Sequence, residues 1–226
     1  MPPSRTPGRP TQTVLDQGII ARAALELATE AGYEKLTMSR LAKTLGTAPS
    51  ALYNHVRDKS HLLLLLQEEV VGHIDTAPLR QALDDDISAH DALEAWAESY
   101  RDVFAAHIPL IGVLAVTPIA RSPRTQKMYN LVAEVMLHAG VPADEALGRI
   151  IAIESFIFGS AMDYGAPENI FDPAPDDETS RISHLEQVVT AMKEREATGA
   201  ANAPAGKNPY TDAPFKRGLA LLLGGF

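Results

Sequence analysis

Apolar residues recur at three- and four-residue spacing along most of the chain, and no stretch alternates with strand period over any length. The pattern predicts an all-α protein. After a Pro-rich start, MPPSRTPGRP, a helix is expected from Val14 to Ala31, with Ile19, Ala23, Leu27 and Ala31 on one face, Thr13 as its cap and Gly32 as its stop. A second helix, Met38 to Leu45, follows the cap Thr37 and buries Leu41, Ala42 and Leu45. Gly46 breaks the chain, a short third helix runs from about Pro49 to Val56, and Asp58 caps a fourth that carries Leu62 to Leu66 and reaches about Gly72. Beyond Pro78 the expected helices are longer: His90 to His107, Leu110 to Val116, Ser122-Pro123 to Gly140, and Pro142 to Gly165. Residues 166–178 read as a Pro- and Asp-rich loop, Ser180 to about Ala197 as a polar helix, Thr198 to Ala213 as a mobile low-complexity stretch, and Phe215 to Leu223 as a last apolar helix.

Two short helices joined at Gly46 have the plan of a helix-turn-helix, whose second helix enters the major groove of DNA. The small Ala42 lets the pair approach closely, and Leu41, Leu45 and Leu52 hold it onto the first helix. Ser50, Ala51, Tyr53, Asn54 and His55 then face outward. Asn pairs with adenine, Ser reaches base or phosphate, and an Ala methyl touches the thymine methyl. Lys59 is placed against a phosphate, a contact that positions without reading sequence.

Charge sharpens this picture. The 226 residues carry a net −9, which by itself argues against a polyanionic partner. Residues 1–60, however, hold eight Lys/Arg against five acids, whereas the remainder holds 12 against 24. A DNA contact therefore belongs in the first quarter of the chain, with residues 1–12 as a flexible basic arm bearing Arg5 and Arg9.

With these residues in view, 13–72 resembles the DNA-binding domain of the TetR family. The signature LAKTLGTAPSALYNHVRDKSHLL carries the resemblance, especially Leu45-Gly46, Leu52-Tyr53, His55-Val56 and Lys59. It implies that Tyr53 and Lys59 contact the DNA backbone, and it adds Thr37, Ser39, Thr47 and Pro49 to the expected DNA-binding set of Ser50, Ala51, Asn54 and His55. The rest of the chain is similar, more loosely, to the ligand-binding and dimerisation domain of the tetracycline-repressor branch. There Thr117 matches a drug-contacting position, while Leu114 stands in place of a magnesium-binding histidine, which implies a more apolar effector than a magnesium–tetracycline complex. The implied organisation is an arm at 1–12, a three-helix DNA-binding domain at 13–60, and a helical ligand-binding and dimerisation domain at 61–226.

Other chemistry finds little support. There are no cysteines, so disulfides and thiolate metal sites are excluded. The seven histidines, His55, His61, His73, His90, His107, His138 and His184, have no paired metal spacing. Asp84-Asp85-Asp86 beside His90 reads as a solvated loop or helix start. Neither a phosphate loop nor a nucleophile elbow is present, so no catalysis, metal or cofactor is expected. With no secretory leader and no apolar run beyond five residues, a cytoplasmic protein without membrane contact is the expectation.

Trp96, Tyr100, Phe104, Met128, Met136, Phe156 and Met162 fall on faces expected to point inward, where core packing is the default. The resemblance makes them, with Leu114 and Thr117, the expected lining of an effector pocket. Small residues at Gly148, Gly159, Ser160 and Ala161 would let the helix at 142–165 join the terminal helix in a four-helix dimer interface, or both could belong to the monomer core. Two functions fit: a homodimeric repressor released from double-stranded operator DNA by a small molecule, or a helical ligand-binding adaptor that does not bind an operator. The basic arm and the charge split favour the first.

Overall fold

The computed structural model describes residues 15–167, 169–172, 183–199 and 210–224. Eleven α-helices and no strands are found among the described residues. The order is α1 (Gln17–Ala31), α2 (Met38–Thr44), α3 (Pro49–Tyr53), α4 (Lys59–Val71), α5 (Ala77–Leu83), α6 (Ala89–Ala105), α7 (Ile108–Leu114), α8 (Pro123–His138), α9 (Ala143–Asp163), α10 (Ser183–Gly199) and α11 (Asp212–Leu223). Arg5, Arg9 and Thr13 lie outside the described residues.

Local chemistry sets most of the boundaries. Asp16 caps α1 by accepting from Ile19 N at 2.8 Å, Thr37 caps α2 by accepting from Arg40 N at 3.2 Å, and Asp58 caps α4 by accepting from His61 N at 2.7 Å. The expected start of α1 at Val14 is therefore corrected to Gln17. Its inner stripe is also shifted: Ile20, Ala24 and Ala28 are fully buried, whereas Ile19, Leu27 and Ala31 are only half-buried. The helix is covered on several sides by α2, α4 and α7, and the centre of that cover falls one position later than the apolar spacing suggests. Helix α3 ends at Tyr53, before the expected Val56.

Helix α5 was not visible as a helix in the apolar pattern. It has seven residues, begins where Asp75 accepts from Ala77 N at 2.8 Å, and buries only Leu79 and Ala82. The loop after it carries Asp85 with φ +61°, a left-handed turn in the segment read as solvated acids.

One continuous core runs from Ile20 in α1 to Leu223 in α11. Helix α4 packs on α1 and also on α8 and α6, so it belongs to both ends of the molecule. Helix α6 lies against α5 and α9, and α11 closes over α6 and α9. The closure is tight: Phe156 stacks on Phe215 with ring centres 5.4 Å apart, and a side chain on Gly218 would place its Cβ 2.3 Å from Phe156 Cζ. Arg101, buried on α6, pairs with Asp212 of α11 at 3.1 Å and lies over the Phe215 ring at 4.3 Å. A paired guanidinium that also stacks is the form in which a buried charge is tolerated.

Candidate nucleic-acid interface and ligand cleft

The turn between α2 and α3 is defined by its hydrogen bonds. Thr47 N donates to Ala42 O at 2.9 Å and Gly46 N to Lys43 O at 3.2 Å, the paired bonds of a Schellman motif. Such a motif needs a left-handed residue just past the helix, and Gly46 supplies it at φ +62°. Pro49 then opens α3 in the first turn, where its missing N–H costs nothing.

Burial divides α3 into two faces. Leu52 and the following Val56 are fully buried, as are Leu41 and Ala42 of α2. Pro49, Ser50, Tyr53 and Asn54 are exposed, with Tyr53 at 53%, while Ala51, Thr47 and His55 are half-buried. Thr37 and Ser39 are exposed at the start of α2. The structure thus brings the described members of the sequence-derived DNA set onto the two short helices and the turns beside them. Two partners had no signal in the sequence. Gln17 Nε2 donates to His55 O at 3.0 Å, tying the end of α3 to α1. Lys59 Nζ sits 4.5 Å from the centre of the Tyr33 ring, so the ammonium is held over an aromatic face beside α3. Burial, then Glu34, raises the Tyr33 hydroxyl above its ordinary pKa.

The expected effector-pocket residues are placed differently. Trp96, Tyr100, Phe104, Leu114, Met128 and Met136 are buried core residues. Trp96, Tyr100 and Phe104 form a chain of ring contacts along α6, extended by Phe158 of α9. Phe156 is half-buried in its stack on Phe215, and Thr117 donates to Val113 O at 2.7 Å. Met162 is a correction: it is 56% exposed on the outer side of α9, because α9 is apolar on two faces and only one meets the core. None of the nine lines either cavity described next.

The first is a cleft of about 560 Å³ between α8 and α9. Gln126, Tyr129, Asn130, Ala133 and Leu137 form one wall and Ala143, Ala146, Leu147, Ile150, Ile151 and Glu154 the other, with Ile119 at one end. Tyr100 donates its hydroxyl to Glu154 Oε1 at 2.7 Å, and the Tyr129 hydroxyl donates to the same oxygen. Burial, then the neighbouring Tyr129 and Glu154, pushes the Tyr100 hydroxyl well above its ordinary pKa. Burial, then Glu154, does the same for Tyr129. Both phenols stay protonated as donors. The missed signal was the small residues, Ala133, Ala143 and Ala146, facing each other across the two helices.

The second cavity, about 420 Å³, lies where α1, α4 and the start of α7 meet, lined by Arg22, Leu25, Glu26, Thr29, Glu30, Glu69, His73 and His107. Among the described residues one grouping offers metal-type donors close together: His90, Asp91 and Glu94. They lie within the first two turns of α6, where the helix dipole opposes a cation.

Residues 20–66 match the family model for bacterial regulatory proteins, tetR family, and residues 84–226 match that for the tetracyclin repressor-like C-terminal domain. The chain is similar to the tetracycline repressor protein class C of Escherichia coli, with 30% identity over 215 residues, 93% of this chain and 90% of that protein. Its fold is similar to a possible TetR family transcriptional regulator from Streptomyces coelicolor, with 25% identity, TM-score 0.63, and coverage of 93% and 98% of the two chains. It also shares the fold of ActR from the same organism in complex with actinorhodin, at 19% identity, TM-score 0.63, and coverage of 93% and 96%.

Proposed function

The chain belongs to the TetR family of bacterial regulatory proteins, and on that premise we propose that it represses transcription from an operator that it releases when a small molecule enters the cleft between α8 and α9. The DNA-binding half of this reading is carried by α3. Its exposed Ser50, Tyr53 and Asn54 stand on a fully buried base of Leu52 and Val56, so the outward face is held rigid for a groove. Lys59, Thr37 and Ser39 flank it as backbone contacts, and Arg5 and Arg9 add charge from the arm. This is a regulatory role rather than a catalytic one.

Two copies are needed to read two half-sites, about one helical turn (34 Å) or more apart. The outer side of α9 supports pairing: Gly148, Ala152, Gly159 and Met162 are exposed along it, and Leu221 of α11 is 83% exposed. A lone chain leaves this apolar stripe in water. Small residues within it let helices from a second copy approach closely. The division of labour falls near residue 60, with α4 serving both halves.

The cleft has the features of an effector site, mostly apolar with a few convergent polar groups. It touches α8, and the start of α8 is tied to α4: Glu68 Oε1 accepts from Ser122 Oγ and from Arg124 N at 2.9 Å. A ligand that favours one spacing of α8 and α9 thereby favours one position of α4 and of the DNA-binding helices on it. A magnesium-chelating effector does not fit. Leu114 is buried where the tetracycline branch has its metal-binding histidine, and its side chain offers no ligand atom.

No described helix is long and apolar enough to cross a membrane, and a DNA partner places the protein in the cytoplasm. The direct test is an electrophoretic shift with DNA flanking its own gene. A retarded band that competitor DNA of unrelated sequence does not abolish supports repression at an operator. Absence of any shift at low salt favours the adaptor.

A further inference from the structure

Among the described residues, Glu154 is the one acidic side chain lining the cleft between α8 and α9, and no lysine, arginine or histidine lines it. The phenols of Tyr100 and Tyr129 both donate to Oε1. Oε2 accepts from no described residue, and it belongs to a side chain that lines the cavity. The carboxylate is thus held in place through one oxygen, and the other keeps its capacity to accept from an occupant of the cleft. Around it, Ala133, Ala146, Leu147, Ile150 and Ile151 offer no polar group.

A purely apolar occupant would strip water from that carboxylate and return nothing, and an anion would meet a like charge. A cation recovers both losses with one charge-assisted hydrogen bond. We propose that the effector is a largely apolar molecule bearing a basic nitrogen, whose ammonium group docks on Glu154. Tyr100 and Tyr129 act as positioning residues that fix the carboxylate. Gln126 and Asn130, the neutral polar side chains of the α8 wall, serve the less apolar part of the ligand. This inference rests on the cleft being the effector site, and it adds the charge that the effector carries.

The test uses the full chain without DNA and three fluorescent probes of one shape: anthracen-9-ylmethylamine, a cation at neutral pH; anthracene-9-methanol, neutral; and anthracene-9-carboxylate, an anion. Titration should show the amine binding at least about tenfold more tightly than the alcohol, the low end for a hydrogen bond to a charged group, and the carboxylate binding weakest. Glu154→Gln should bring the amine down to the level of the alcohol and leave the alcohol within about twofold. Ala143→Trp, a change at an exposed lining position, should weaken all three by filling the cleft. If amine and alcohol bind equally to the unaltered protein and Ala143→Trp weakens both, the cleft stands and the charge inference is overturned. If no probe binds, or Ala143→Trp has no effect, the cleft reading fails with it. Thermal melting without probe checks each variant, and should Glu154→Gln fail to fold, the three-probe comparison on the unaltered chain decides alone.

Discussion

Thr29 Oγ1 lies 2.8 Å from Nδ1 of His107, and this contact joins the helix beneath the DNA-binding motif to the residue just before α7. The pair sits in the smaller cavity, facing Arg22, Glu26 and Glu30 of α1, Glu69 of α4, and His73 just past the end of α4. Burial, then the charge of His73, lowers the His107 pKa below the ordinary 6.5, even with three carboxylates nearby. The folded chain keeps this ring neutral to lower pH than the unfolded chain, which takes up a proton near pH 6.5. The stability it contributes is therefore full above that pH and lost as pH falls below it toward the folded value. Melting temperature should drop between about pH 7 and pH 5 more steeply for the unaltered protein than for His107→Gln. Equal slopes in a series of melts would show that His107 does not titrate with folding.

Gly46 offers a second test. A Cβ there meets nothing within 4 Å, so Gly46→Ala carries only the strain of a left-handed backbone. The expected cost is about 1 kcal/mol, read from chemical denaturation. A loss of several kcal/mol would mean that the turn also makes a packing contact.

The exposed face of α3 separates two roles. Tyr53→Phe removes a hydroxyl from a backbone contact and should weaken all operators about equally. Asn54→Ala should lose on the order of 1–3 kcal/mol at one base position and relax preference there. Both variants should keep their helicity, since Leu52 and Val56 hold the buried side. Binding to an operator library separates the two, and unchanged base preference in Asn54→Ala would shift specificity to Ser50, Ala51 or His55.

Pairing through α9 and α11 is tested away from the cleft by Met162→Glu combined with Leu221→Glu. Sedimentation at micromolar concentration should give about twice the 24.3 kDa chain mass for the unaltered protein and a single chain for the variant. Both positions are exposed, so the melting temperature of the isolated chain should change little. A double-mass species that survives both charges would place the interface elsewhere.

The legible parts of this chain were those decided within a few residues. Thr37 and Asp58 cap as their spacing suggests, and Gly46 turns where two apolar runs are interrupted. Helix α5 escaped because seven residues with two buried positions do not establish a period. The cleft escaped for a different reason. Large inward side chains such as Trp96 and Phe104 signal space that is filled, whereas a cavity is space that side chains fail to fill. It is announced by alanines on two helices whose separation no local pattern records. Glu154 gave no sign of its role, because its partners are Tyr100 and Tyr129, 54 and 25 positions away.

Helix α4 has a mechanical property that its contacts alone do not state. Its 13 residues span about 20 Å at the rise of an α-helix, with Glu68 gripped near one end and Lys59 at the other. Such a rod turns angle into travel: Lys59 lies nine residues, about 13 Å, from Glu68, so a tilt of about 5° about Glu68 moves the far tip by a little over 1 Å. In a symmetric pair the two tips move in opposite senses, so the change in their spacing is about twice that. Hydrogen bonds to bases lose most of their strength over a smaller displacement, which makes a few degrees at α4 enough to let go of DNA.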